Sequence, residues 1–178
     1  MPTLFTHPLI PIATMSLLGR AGISRRLLFV ACVVSILPDI DILAFSLGIP
    51  YESQFGHRGF THSIIFSLGL GLLAVMMHKC LLSSKGKSFI LVSVAGISHG
   101  VLDALTNGGL GIAFFWPLNE TRYFLPWTPL EVSPIGAGFL SQRGAVVLVS
   151  EFIWIWLPSL LLISSVWLLR KLKQRVTQ

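Results

Sequence analysis

Residues 88–110 read SFILVSVAGISHGVLDALTNGGL, an apolar run that contains His99 and Asp103. The hydrocarbon core of a bilayer is about 30 Å thick, and a helix needs roughly 20 apolar residues to cross it. This run is long enough, and these two side chains are its only ionisable groups. It therefore predicts a membrane-spanning helix that carries polar chemistry inside the bilayer.

Apolar runs of similar length recur along the chain. Three further runs meet the same criterion: 27–49, 63–82 and 145–169. A shorter run, 8–19, contains Pro11 and is counted as a fifth span. Only 11% of the 178 residues are charged, whereas soluble domains carry about 25%. We therefore expect an all-α integral membrane protein, one domain over residues 1–178, built from about five transmembrane helices.

Lysine and arginine cluster between alternate runs, which sets the predicted orientation. Ten of the 13 basic residues fall in three segments: Arg20, Arg25 and Arg26; Lys79, Lys85 and Lys87; Arg170, Lys171, Lys173 and Arg175. With five spans, all three segments lie on one side, which the positive-inside rule makes cytoplasmic. The C-terminus is then cytoplasmic and the loops 50–62 and 111–144 face outward. The net charge of +6 needs no nucleic-acid partner.

Asp39 and Asp41 lie inside the second run, one and three residues after Pro38. An ionisable group at the centre of a span costs roughly 2.5–3.5 kcal/mol on insertion scales, so its presence calls for a reason. Residues two apart point in different directions on a regular helix, but a break at Pro38 can turn both carboxylates toward one site. The plainer alternative is a single buried carboxylate bonded to a neighbouring helix.

His99 and Asp103 stand four residues apart, which places them on one helical face. A neutral imidazole and a carboxylate in this arrangement can share a divalent ion. Thr106 and Asn107 are predicted to continue the same polar face. The alternative is a structural His–Asp hydrogen bond.

The third polar element is the block 57–63, HRGFTHS, where an outer loop enters the third run. His57 and His62 can reach one centre if Gly59 permits a bend, and Thr61 or Ser63 can cap the helix that follows. Arg58 has no carboxylate partner within the block, and a guanidinium beside a metal suits a phosphate or carboxylate group of a substrate. A surface loop with incidental histidines is the alternative.

Two outlying residues and one long loop complete the expected site. His7 lies at the outward end of the first run and Glu151 in the outer third of the last. Either can complete a coordination shell, or serve as an interfacial histidine and a structural hydrogen-bonding group respectively. The aromatic and proline-rich segment 111–144 is interpreted as an interfacial lid over the site, or as a passive membrane anchor. Cys32 and Cys80 form no CxxC motif and predict buried thiols.

The orientation deduced from lysine and arginine brings the remaining polar groups together. It places eight of them in or just above the outer half of the membrane: His7, Asp39, Asp41, His57, His62, His99, Asp103 and Glu151. Mixed nitrogen and oxygen ligands suit zinc, manganese or iron better than calcium. More ligands than four favour two ions, or one ion and a general base. Such an ion lowers the pKa of bound water and polarises a phosphoryl or carbonyl oxygen.

Four short motifs together resemble a known family. They are Thr6-His7, Pro38-Asp39-Ile40-Asp41, the block 57–63, and His99 with Asp103 and Thr106. Over about residues 1–120 the chain is similar to the bacterial inner-membrane metal-dependent hydrolases described as LexA-regulated. The resemblance implies an inner-membrane location, a divalent metal and hydrolase activity. The His99–Asp103 pair is also similar, at the level of the site only, to the HxxxD pairs of zinc-dependent phospholipases C.

We therefore expect a membrane-bound hydrolase that cleaves a phosphoester of a lipid or lipid-linked molecule at the outer face. Zinc is the favoured ion, with manganese or iron as alternatives and one or two ions per chain. The expected metal ligands are His7, Asp39, Asp41, His57, His62, His99 and Asp103. Arg58 would hold the phosphate, and Glu151 or a non-ligating carboxylate such as Asp41 would act as general base. An ion-coupled transporter and a metal-stabilised membrane scaffold are the rival hypotheses.

Overall fold

The structure, a computed structural model, describes residues 1–18, 23–134 and 136–176, and within these ranges it contains no β-strand. Its α-helices are α1 (Leu9–Leu18), α2 (Arg25–Val34), α3 (Leu43–Ser46), α4 (Ile64–Met76), α5 (Lys85–Ala104), α6 (Gln142–Glu151) and α7 (Leu157–Val176). The expected all-helical class is confirmed. Arg20 and the last residue of the predicted run 8–19 lie outside the described residues.

Three helical stretches are long and apolar enough to cross a membrane, by length and composition: Arg25–Ser46, Lys85–Ala104 and Gln142–Arg175. The helices α1 and α4 are apolar but shorter, and they correspond to the runs 8–19 and 63–82. Large apolar side chains project outward, such as Leu161 and Trp167, which are 60% and 61% exposed. Outward-facing apolar side chains of this kind fit a lipid environment.

Two of the predicted runs are longer than the helices that they form. The helix in run 63–82 ends at Met76, and Cys80 in the turn after it is exposed, so the prediction of a buried thiol there was wrong. The helix in run 88–110 ends at Ala104. Asn107 donates its backbone N–H to Leu130 O instead (2.9 Å), and Gly109 has φ +93°. Asn107 therefore does not extend the polar face of α5.

The close approach of α4 and α5 depends on residues with little or no side chain. A Cβ atom on Gly96 would lie 2.8 Å from Ser67 Oγ, and one on Gly100 would lie 3.0 Å from the carbonyl oxygen of His62. Small residues at helix interfaces let two backbones pack closely in membranes. This contact brings His62, just before α4, against His99 on α5.

The helices run between two chemically different ends. At one end Arg26 donates to Cys80 O (3.2 Å), and Arg170 donates to Leu17 O (3.0 Å). These bonds join the start of α2, the turn before α5 and the last turns of α1 and α7. The start of α4 and the last turns of α2 and α5 meet at the opposite end, where the ionisable candidates gather.

Candidate metal centre

Four buried side chains meet at this second end of the bundle: Asp39, His62, His99 and Asp103. One ligand atom from each lies within 4.8 Å of all the others. His99 Nε2 is 3.0 Å from His62 Nε2 and 3.4 Å from Asp39 Oδ1, and His62 Nε2 is 3.5 Å from Asp103 Oδ2. Ligands 2.0–2.1 Å from a zinc ion lie roughly 3.3 Å apart at tetrahedral angles. The four residues could therefore hold a metal ion.

Backbone breaks position two of these residues. The α-helical pattern after α2 gives way to the 3₁₀ helix Leu37–Ile42, which has Pro38 in its first turn and buries both Asp39 and Asp41. The expected break at Pro38 is confirmed, because proline cannot donate the hydrogen bond that would continue the α-helix. His62 ends a second short 3₁₀ helix, Phe60–His62.

Ser63 separates that turn from α4. Its hydroxyl accepts a hydrogen bond from Phe66 N (3.1 Å), as was expected of a capping residue. A side chain on Gly59 would collide with the carbonyl oxygen of Gln54. The loop therefore bends tightly at Gly59 before His62 turns inward.

Both histidines of the cluster are held from behind through Nδ1. His62 Nδ1 lies 3.1 Å from Asp41 Oδ2, and His99 Nδ1 lies 2.8 Å from the carbonyl oxygen of Ser35. A hydrogen bond at Nδ1 fixes the tautomer, so that Nε2 carries the free lone pair. Metal-ligating histidines almost always have such a carboxylate or carbonyl partner.

The structure does not bring Asp41 and His57, both expected among the ligands, into the group of four. Asp41 Oδ1 lies 2.6 Å from His57 Nδ1, and Asp41 Oδ2 accepts hydrogen bonds from Thr61 Oγ1 (2.7 Å) and Arg58 N (3.0 Å). Both oxygens of Asp41 are thus engaged by donors around His62. Asp41 supports the cluster from outside.

The facing groups of the cluster lack ordinary hydrogen bonds. Within the part of the chain that the structure describes, no donor is bonded to either carboxylate oxygen of Asp39 or Asp103. Asp103 is fully buried and Asp39 is 5% exposed. A buried carboxylate is very costly unless it is hydrogen-bonded, paired with an opposite charge or bound to a metal. Asp103 Oδ2 has an ion pair with Arg58 Nε (3.2 Å), and a bound cation would account best for the remaining carboxylate oxygens.

Arg58 turns inward rather than toward solvent. It has φ 64° and is 1% exposed, and its Nε lies 3.2 Å from Asp103 Oδ2. Its terminal nitrogens donate to Gly108 O (2.8 Å) and Thr106 Oγ1 (3.1 Å). The carboxylate partner that is missing from its own segment therefore comes from α5.

Glu151 binds the N-terminal segment. Its oxygens accept hydrogen bonds from Thr3 N (2.5 Å), Thr3 Oγ1 (2.6 Å) and Thr6 Oγ1 (2.6 Å), and Trp156 Nε1 also donates to Thr6 Oγ1 (2.7 Å). These bonds fix residues 3–6 against the junction of α6 and α7. His7, next in the chain, stacks on His99 with ring centroids 4.0 Å apart.

A largely apolar cavity of about 290 Å³ reaches Asp39. Its walls are the N-terminal residues 1–5, Ile42 and the stretch around Phe139. Part of the segment 111–144, interpreted as a lid from the sequence, thus lies beside the cluster. The same segment is tied to the histidine loop, because Arg122 donates to His57 O (2.8 Å) and Tyr51 O (2.9 Å).

Sequence reasoning missed two groups of contacts at the site. Ser35 acts through its backbone carbonyl, which any residue would supply and which leaves no trace in the sequence. Thr3 was not singled out, although the hydroxyl groups of Thr3 and Thr6 both donate hydrogen bonds to Glu151. A second hydroxyl residue one helical turn before Thr6 was the only available signal.

Comparison with known proteins agrees with this membrane architecture. The model of the YdjM inner membrane protein family matches residues 1–175. The chain is also 36% identical over 173 residues to "Inner membrane protein YbcI" of Escherichia coli (strain K12), covering 96% of this chain and all of that protein. No solved structure matches the chain. The chain therefore belongs to the YdjM inner membrane protein family.

Proposed function

We propose that this protein is a metal-dependent hydrolase of the bacterial inner membrane that cleaves a phosphoester of a lipid or lipid-linked molecule. The observation that carries the proposal is the set of buried carboxylate oxygens without hydrogen bonds, facing two histidines whose Nε2 atoms converge. Asp39, His62, His99 and Asp103 would hold the ion, with zinc favoured by the mixed nitrogen and oxygen ligands.

Charge supports a cation at this position. The carboxylates of Asp39, Asp41 and Asp103 outnumber the two positive groups near them, the guanidinium of Arg58 and the terminal ammonium of Met1, so the group is anionic with neutral histidines. A divalent cation would compensate this negative charge. In a buried site the unneutralised charge would be strongly unfavourable.

The bound ion would supply Lewis acidity and an activated water molecule for attack on phosphorus. The protein residues would position both. Asp41 and the carbonyl of Ser35 orient the two imidazoles, and Arg58 holds Asp103 in place, so we assign them positioning roles. The oxygens of Glu151 accept hydrogen bonds from Thr3 and Thr6, so we do not assign Glu151 as the general base.

The apolar cavity favours a lipid substrate. It opens beside Asp39, and its walls include Leu4, Phe5 and Phe139. A hydrocarbon chain lying against these side chains would bring its headgroup to the cluster. The positions of Arg25, Arg26 and Lys85 at the other end support a non-cytoplasmic location for this end of the bundle, by the positive-inside rule.

The direct test is metal analysis and hydrolysis by the full-length protein in detergent. We expect bound zinc, and release of phosphate or a phosphorylated headgroup from micelles of phosphatidic acid or phosphatidylglycerol. The His99→Ala, Asp103→Ala double variant should lose both, while His78→Ala, at the other end of α4, should keep both. Absence of metal from the purified protein would refute the proposal.

Two further outcomes would favour the rival functions. Uptake of an ion or solute by proteoliposomes without hydrolysis of any lipid would indicate a transporter. Unfolding on metal removal, with no turnover of any phosphoester by the loaded protein, would indicate a scaffold that the metal holds together.

A further inference from the structure

His7 lies outside the group of four, yet it faces the same two carboxylates. Its Nε2 is 3.9 Å from Asp39 Oδ2 and 4.0 Å from Asp103 Oδ1. Those are the oxygens opposite to the ones that approach His99 and His62. Each carboxylate therefore presents one oxygen to the histidine pair and the other to His7.

We propose a second divalent-cation site, held by His7 Nε2, Asp39 Oδ2 and Asp103 Oδ1, in which both aspartates bridge two ions. This inference rests on the proposed function and specifies its metal content. Two ligands bound to one zinc ion at 2.0–2.2 Å can lie at most about 4.2 Å apart, so both separations from His7 permit a shared ion. Bridging carboxylates hold paired ions about 3.5–4 Å apart in hydrolytic centres.

An independent observation points to a ligand at His7. The side chain is fully buried, and among the described residues neither of its ring nitrogens has a hydrogen-bond partner. A buried imidazole normally satisfies at least one nitrogen, because an unpaired polar group in an apolar setting is costly. A cation between His7 and the two aspartates would satisfy its Nε2.

The second ion also narrows the substrate class. One divalent ion already balances the net charge of the three carboxylates and Arg58, and the terminal ammonium of Met1 lies nearby, so a second ion leaves an excess of at least two positive charges. An anionic substrate group would restore neutrality in the buried site. Two ions that clamp the attacking and leaving oxygens are a known arrangement for phosphoryl transfer. A phosphate monoester, which carries close to two negative charges near neutral pH, fits this requirement best.

The test is the zinc stoichiometry of the full-length protein, stripped with a chelator and dialysed against ZnCl₂. We expect two ions per chain in the wild type and in His78→Ala, and one ion in His7→Ala. One ion in the wild type, or two ions retained by His7→Ala, would overturn the second site. No bound ion in the wild type would overturn the second site and the proposed function together.

A spectroscopic measurement on the wild-type protein tests the second site even if His7→Ala fails to fold. Wild-type protein loaded with Mn²⁺ should show the electron paramagnetic resonance spectrum of an exchange-coupled pair. The six-line spectrum of isolated Mn²⁺ at full loading would refute the bridged pair. Two coupled ions without hydrolysis of any phosphoester would support the second site. The same result would count against the hydrolase function.

Discussion

Asp41 Oδ2 lies 3.1 Å from His62 Nδ1, on the side of the ring opposite to the Nε2 that faces His99. In known metal sites, removal of such a supporting carboxylate lowers metal affinity by about 10–100-fold. We expect Asp41→Asn to weaken zinc binding by a factor in this range. A carboxylate can only accept a hydrogen bond from His62 Nδ1, whereas an amide can also donate one to it and so no longer fixes which nitrogen of the ring carries the proton. Competition with a fluorescent zinc chelator measures this affinity.

The matched control for Asp41→Asn is Glu131→Gln. Glu131 is a partly exposed carboxylate that pairs with Arg143 (2.6 Å) away from the cluster. The Glu131→Gln substitution should therefore leave the zinc affinity unchanged. Equal affinities in wild type and Asp41→Asn would show that Asp41 does not orient His62.

Arg58 provides a second prediction, on stability. Its guanidinium is buried against Asp103 (3.2 Å), and breaking a buried pair from one side typically costs 3–5 kcal/mol. We expect Arg58→Met to destabilise the metal-free protein by about that amount, and excess zinc to recover part of the loss because it binds only the folded state. Thermal unfolding with and without zinc measures both effects. An unchanged Tm with a raised KM would instead assign Arg58 to the substrate phosphate.

A substitution at Glu151 can show whether this residue anchors the N-terminal segment or acts as a general base. Because its oxygens accept three hydrogen bonds from Thr3 and Thr6, Glu151→Gln should release the N-terminal segment. Faster hydrogen exchange in residues 3–7 and a lower Tm are expected, while Glu120→Gln, an exposed control, changes neither. A large fall in kcat with unchanged exchange and Tm would mean that Glu151 acts in the chemistry.

The cavity beside Asp39 predicts a preference for long-chain substrates. Phe139→Trp places a larger side chain in the wall of this cavity. We expect kcat/KM to fall at least tenfold for a long-chain lipid phosphate, and the loss to be much smaller for a short, water-soluble phosphate ester. Equal losses for the two substrates would indicate that hydrocarbon does not bind in the cavity.

Cys80 offers a test of orientation with the native sequence. It is exposed in the turn between α4 and α5, at the end of the bundle that carries Arg26. A cytoplasmic location predicts that a membrane-impermeant maleimide labels Cys80 in inverted vesicles and not in intact spheroplasts. A Cys80→Ser variant identifies any labelling of Cys32. Labelling in intact spheroplasts would reverse the proposed topology.

The parts of the site that the sequence predicted are those set by local geometry. The spacing of His99 and Asp103 places them on one face of any α-helix. A proline in the interior of a helix interrupts it, so the break at Pro38 was also predictable. The role of His62 rather than His57 was not predictable, because it depends on how the loop bends at Gly59 against Gln54. The inward turn of Arg58 also arises from tertiary contacts, with Asp103 and Gly108, that no local pattern encodes.

The bonds between Glu151 and the threonines have a consequence for biosynthesis. Thr3 and Thr6 precede Glu151 by 148 and 145 residues, so a nascent chain exposes His7 to the membrane long before its anchor is made. The candidate site can therefore be completed only after α6 has been synthesised and inserted. Premature termination before residue 151 would therefore yield a membrane-inserted chain that holds the first four apolar runs and the four clustered residues but has His7 unsecured. If the proposed function is right, this truncated chain should be inactive.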